Sequence, residues 1–193
     1  MPKIDNKKFY LSAIKKYAHS PRGVNWNNQE SQSIRFNIIN EMLPKELHTY
    51  TIADAGCGFG DFYTYLKTNQ RTPKEYLGID SLKEMLTITN KQTAQKTLLA
   101  NICTDEIPVA DYYICSGALN TLTKFETYQF INNCYKSSNI AFIFNVLYGT
   151  KESATYNYLT DADIKKIAQE LNVSKIHSKK GYLANDITIG FCK

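Results

Sequence analysis

The chain has 193 residues, of which 43% are apolar and 21% charged. That composition suits one globular domain with a sizeable core and excludes global disorder, a collagen-like repeat and a disulfide scaffold. The net charge of +5 is spread over short pairs such as Lys7-Lys8, Lys165-Lys166 and Lys179-Lys180, so an acidic or nucleic-acid partner is permitted but not required.

The five cysteines (Cys57, Cys103, Cys115, Cys134 and Cys192) are odd in number, and no two stand at C-x-x-C spacing. This argues against disulfides and against a thiolate metal site, and for a reducing, cytoplasmic setting. The N-terminus lacks the apolar stretch of a signal peptide, and the run "IAFIFNVL" is too short to span a bilayer, so no membrane association is expected.

In chain order, residues 7–18 carry Phe9, Ile14 and Tyr17 at helical spacing, and Pro21 and Gly23 then break the pattern. Residues 28–43 resume a helix with Ile34, Ile38, Ile39 and Met42 on one side, ended by Pro44. From Tyr50 onward strands and helices alternate. Strands are expected near 50–55, 75–80, 96–101, 111–116 and 139–147, and helices over 60–69, 81–89, 121–137 and 160–171. Alternation of this kind implies a parallel sheet covered on both faces. The run at 139–147 is apolar on both faces, as a central strand requires. Two strand-like runs at 173–178 and 182–192, joined through Gly181, predict a C-terminal antiparallel hairpin. One domain over 1–193 follows, with a helical cap at 1–44 and the α/β core at 45–193.

The stretch "DAGCGFGD", Asp54–Asp61, places Gly56, Gly58 and Gly60 between the first strand and a helix. In open α/β sheets ligands bind at that end of the strands. The helix start would offer N–H groups to an anionic part of the ligand. No Lys-Ser or Lys-Thr pair follows, so a Walker-type phosphate loop is excluded. In a dinucleotide fingerprint the third glycine would fall at Asp61, and a carboxylate there would repel a pyrophosphate. A cationic sulfonium ligand tolerates acids, and Asp54 or Asp61 could hold its ammonium group. Asp80 follows Gly56 by twenty-four residues and is placed to hold ribose hydroxyls.

With these residues the chain resembles the class I S-adenosylmethionine-dependent methyltransferases, whose first motif is D-x-G-x-G-x-G. The resemblance covers roughly residues 45–193. It implies a Rossmann-like, doubly wound, mostly parallel seven-stranded sheet with a C-terminal antiparallel hairpin. It also implies S-adenosylmethionine as methyl donor and S-adenosylhomocysteine as product. Carried over position by position, Asp54, Gly56, Cys57, Gly58, Gly60 and Asp61 form the wall beside the methionine part, and Asp80 with Ser81 meets the ribose. Asn101 stands where the family usually has an acid facing the adenine amino group, and Ile102 packs on the adenine. Ser116 and Gly117 end the fourth strand near the methionine moiety.

The reaction the resemblance implies is an in-line methyl transfer, with a small molecule as the expected acceptor. RNA or protein acceptors, and a non-catalytic cofactor-binding domain, are the alternatives. The loop at 22–36 gathers Asn25, Trp26, Gln29, Gln32 and Arg35, with Arg35 a partner for the cofactor carboxylate and Trp26 a cover for the cofactor or substrate. His19 is the general-base candidate, and Asn120, Asn145 and Tyr148 are candidate acceptor-binding groups. No [DN]-P-P-[YF] run and no Pro-Cys pair follows the fourth strand, which disfavours amino methylation and carbon methylation of nucleobases.

Overall fold

The structure, a computed structural model, describes residues 29–193. The expected helix at 7–18, and with it His19, Asn25 and Trp26, lies outside the described residues. Helix α1 (Gln29–Met42) opens the described part. Then follow β1 (Thr51–Ala55), α2 (Asp61–Thr68), β2 (Glu75–Asp80), α3 (Lys83–Thr93), β3 (Lys96–Leu99) and β4 (Ala110–Ser116). After these come α4 (Lys124–Ser137), β5 (Ser138–Tyr148), β6 (Tyr158–Leu159), α5 (Asp161–Glu170), β7 (Lys175–Lys180) and β8 (Asp186–Cys192).

The strands form one sheet in the order β3-β2-β1-β4-β5-β8-β7, with β6 pairing to the end of β5. β1 to β5 run parallel, and β8 returns antiparallel beside β5 with Asn145 opposite Thr188. The two-residue β6 makes an eighth strand. It is too short to leave a periodic signal, which is why only seven strands are legible in the sequence. No helix among the described residues is long and apolar enough to cross a membrane.

Alternation along β5 supplies both halves of the core. Phe142, Phe144 and Val146 pack with Phe130 and Ile131 of α4 and Ile164 of α5. Ala141 and Ile143 face the other way, with Phe36 and Ile39 of α1, Leu43 just after it, and Phe62 and Leu66 of α2. The buried positions of α1 are thus Gln32, Phe36, Ile38 and Ile39, continued by Leu43 just past its end, so Ile38 and Ile39 face inward as expected while Ile34 and Met42 are only half-buried. Edge strand β7 is exposed at all six positions and carries three lysines, charges that discourage pairing with another chain.

Capping fixes where α4 begins. Thr123 accepts from the Glu126 N–H while the Glu126 carboxylate accepts from the Thr123 N–H, a capping box. The helix therefore starts at Lys124 rather than 121, and Ala118–Thr121 forms a separate 3-10 turn. Helix α3 runs four residues past its expected end because Thr89 and Thr93, poor helix formers, are buried there and bond back to the Met85 and Thr89 carbonyls.

Candidate functional site

β1, β2 and β4 end together, and the glycine turn lies across their carboxyl ends. A Cβ on Gly56 would stand 2.5 Å from the Ala118 Cβ, and φ there is +76°. A Cβ on Gly60 would meet the Thr93 Cγ2 at 2.7 Å and the Thr89 Cγ2 at 2.9 Å. The first glycine thus lets the turn close against the 3-10 turn after β4, and the third lets the start of α2 pack on α3.

The amides of this turn are already spent. The N–H groups of Gly56 and Cys57 donate to the Ile79 carbonyl at 2.8 and 3.0 Å, and that of Gly60 donates to the Cys57 carbonyl at 2.9 Å. The Gly58 N–H donates to Asp80 Oδ2 at 3.1 Å. The expected display of unpaired N–H groups toward an anion is therefore reduced by four, and a phosphate cradle, which depends on such groups, is not what the turn builds.

A cavity of about 760 Å3 opens over the turn, and Asp54, Asp61 and Asp80 all line it. Asp54 is 3% exposed and accepts the Tyr76 hydroxyl at 2.5 Å. Asp80 also accepts the Leu82 N–H at 2.9 Å. Asp61 accepts from the Gln32 side chain at 3.1 Å and from that of Gln92 at 3.4 Å. Burial pushes the Asp54 carboxyl up to about 7; the Tyr76 hydrogen bond opposes this and the charges of Asp80 and Asp61 add to it. Burial likewise raises Asp80 to about 6, against the backbone hydrogen bonds it accepts. Three acids around one cavity favour a cationic ligand.

These shifts have a sign. A carboxyl raised above its unfolded value near 3.9 takes up protons more readily in the folded state, so stability falls as pH rises from about 4 to about 7 and levels beyond. The contribution of these two groups should therefore make the ligand-free protein melt higher near pH 5 than near pH 8. Asp54→Asn keeps an oxygen for the Tyr76 hydroxyl and should stabilise the ligand-free protein by about 2 kcal/mol above pH 7, flattening the slope. Thermal denaturation across this range tests it; an unchanged slope in the variant would remove Asp54 as the cause.

Cys57, Ser81, Asn101, Ile102, Ser116 and Gly117 line the same cavity. Burial holds the Cys57 thiol well above its ordinary range, so it stays neutral. The Asn101 Oδ1 accepts the Cys103 N–H at 3.1 Å, which leaves one lone pair for a ligand donor. The Ser116 Oγ accepts from Asn145 Nδ2 at 3.2 Å. Asn145 is fully buried, and its Oδ1 has no hydrogen-bond partner among the described residues.

Four of the expected site residues, Gly60, Arg35, Asn145 and Tyr148, do not line the cavity. Gly60 serves the α2–α3 packing described above. Arg35 places its guanidinium on Asp186 of β8, Nε and Nη2 each donating at 2.8 Å. Helix α1 lies over β5 and β8, so Gln32 reaches the cavity while Arg35, one turn on, reaches the sheet. The Tyr148 hydroxyl donates to Asp161 at 2.6 Å and accepts from Lys180 at 2.8 Å in an exposed cluster. Asn120 does line the cavity, joined by Phe36, Leu82, Met85, Phe125 and Tyr156, which the sequence did not single out. For Leu82 the signal was present: it directly follows Asp80-Ser81 at a strand end.

No protein-family profile matches the sequence, and no curated protein matches it. Solved structures do. Magnesium protoporphyrin IX methyltransferase (ChlM) from Synechocystis PCC 6803, with bound S-adenosylhomocysteine, superposes with a TM-score of 0.70 at 13% identity, covering 98% of this chain and 95% of that one. A SAM-dependent methyltransferase of Leishmania major gives 0.71 at 17% identity, covering 98% and 85%. Human N-acetylserotonin methyltransferase in complex with SAM gives 0.66 at 13% identity, covering 86% and 53%. With the strand order, the antiparallel C-terminal hairpin and the glycine turn after β1, these likenesses give the chain the Rossmann-like fold of the class I S-adenosylmethionine-dependent methyltransferases.

Proposed function

We propose that the protein is an S-adenosylmethionine-dependent methyltransferase acting on a small molecule. The observation that carries this reading is the lining of the cavity: Asp54, Asp61 and Asp80 face it, while four amides of the glycine turn are consumed inside the protein. A pyrophosphate would meet three acids and few donors; a ligand with a sulfonium and an ammonium group meets complementary charge. The residues present therefore fit the methyl donor. Asp80 would take the ribose hydroxyls, Leu82 and Ile102 the faces of the adenine, and Asp54 and Asp61 the ammonium. Ser116 and Gly117 would border the methionine part.

When bound, S-adenosylmethionine supplies a methyl group already activated on a cationic sulfur. What the chain must add is orientation and exclusion of water. The buried backing of the turn by Cys57, Phe59 and Met85 serves both, because it leaves the donor wall little freedom to move. The small-molecule reading is supported by the similar structures, whose names specify magnesium protoporphyrin IX and N-acetylserotonin. That the five cysteines form no disulfide with one another accords with a reducing cytoplasm.

Asp80→Ala should weaken binding of S-adenosylmethionine and S-adenosylhomocysteine about 30- to 100-fold, the loss of roughly 2–3 kcal/mol of charge-assisted hydrogen bonding. Isothermal titration calorimetry of both compounds, with NAD as control, is the measurement. Binding of NAD and of neither sulfur compound would overturn the reading.

A further inference from the structure

The cavity is larger than its acidic end. Its outer part is lined by the 3-10 turn after β4, the first turns of α4 and the connection before β6, and one buried side chain ties these together. Asn157, 5% exposed, donates its N–H to the Asn120 carbonyl at 2.8 Å and its Nδ2 to the Thr127 Oγ1 at 2.9 Å. This clamp sets Tyr156 beside Asn120 on one rim and fixes both to the helix that carries Phe125. Phe125 is 70% and Tyr156 38% exposed. Among the described residues five large apolar side chains are exposed, and the two aromatic ones both line this cavity. Two exposed aromatics lining one cavity offer a planar ring faces and edges to pack against.

Asn120 supplies the polar contact, and its orientation is fixed chemically. Its Oδ1 accepts the Leu147 N–H at 3.0 Å. A backbone N–H can only donate, so the amide cannot be flipped; its oxygen is committed to Leu147 and its NH2 group is the donor offered to a ligand. A donor at the rim selects an oxygen that accepts.

We propose that this outer part is the acceptor subsite, and that it takes a small planar aromatic molecule bearing a carbonyl or carboxylate oxygen held by Asn120. The proposal rests on the methyltransferase reading and names its substrate class. It also singles out Asn120→Asp as the informative variant. That change keeps an oxygen for the Leu147 N–H and removes the donor from the cavity, so the fold keeps its hydrogen bond while the ligand loses its own.

The test uses the full chain saturated with S-adenosylhomocysteine and titrated with four probes. These are para-hydroxybenzoate, para-hydroxybenzaldehyde, phenol, which lacks the carbonyl or carboxylate oxygen, and 4-hydroxycyclohexanecarboxylate, which lacks the aromatic ring. The first two should bind about tenfold tighter than the last two. Asn120→Asp should weaken the first two about tenfold or more and para-hydroxybenzoate the most, because it adds a like charge. Its melting temperature and S-adenosylhomocysteine affinity should stay unchanged. Tyr156→Ala, at an exposed position, should weaken the aromatic probes alone. Retained S-adenosylhomocysteine binding with equal affinity for all four probes, or with no effect of Asn120→Asp, would overturn the acceptor proposal and leave the function standing. Failure to bind S-adenosylhomocysteine at all would overturn the function itself.

Discussion

Arg35→Leu is expected to destabilise the protein by about 3–5 kcal/mol, the range seen when one member of a buried ion pair is removed. The guanidinium is bidentate on Asp186, and their side chains are only 11% and 2% exposed. Removing the arginine leaves Asp186 buried without its counter-charge, and that stranded charge accounts for most of the cost. The double variant Arg35→Leu with Asp186→Leu should recover much of the loss, because two apolar side chains of similar volume need no compensation. Chemical denaturation of the wild type, both single variants and the double variant gives the coupling. A single variant as stable as wild type would show that the pair does not hold α1 to β8. Methyl-donor affinity should change little in the double variant, since neither residue lines the cavity; a large fall would return Arg35 to the binding site.

This pair also shows where sequence reading stops. Arg35 and Asp186 are 151 positions apart, and no local pattern joins them. From the sequence alone an arginine one turn from Gln32 suits a ligand carboxylate equally well. The alternation of strands and helices was legible because burial on both sheet faces writes apolar runs into β4 and β5. The glycine turn was legible because a positive φ and close packing demand glycine at fixed offsets after a strand, and those offsets are local. The aromatic lining of the cavity was not. Phe125 and Tyr156 lie on different elements brought together by Asn157, and a lone aromatic in a chain with fourteen tyrosines and nine phenylalanines carries no positional signal. Asn120 was noticed from its place after the fourth strand, but which end of its amide faces a ligand depends on the distant Leu147 N–H. The count of amides spent in the turn likewise required coordinates, because Ile79 and Asp80 of the neighbouring strand accept three of the four.

Gly56→Ala should cost roughly 2–5 kcal/mol and weaken S-adenosylhomocysteine binding more than about tenfold, through two separable effects. The first is conformational: φ at this position is +76°, and an L side chain in the left-handed region costs about 1–2 kcal/mol. The second is steric: the new Cβ would lie 2.5 Å from the Ala118 Cβ, and relieving such overpacking costs about 1–3 kcal/mol. Ala118 belongs to the 3-10 turn whose residues line the cavity, so pushing it away deforms the wall as well as the fold. Ala118→Gly in the Gly56→Ala background removes the steric part and leaves the conformational part. Measured against Ala118→Gly alone, the cycle should therefore show a coupling of about 1–3 kcal/mol. A coupling near zero would mean that the two Cβ positions are not in contact and that only backbone strain opposes a side chain at Gly56. Affinity regained along with the coupling would show that the glycine serves the site by letting the two turns meet.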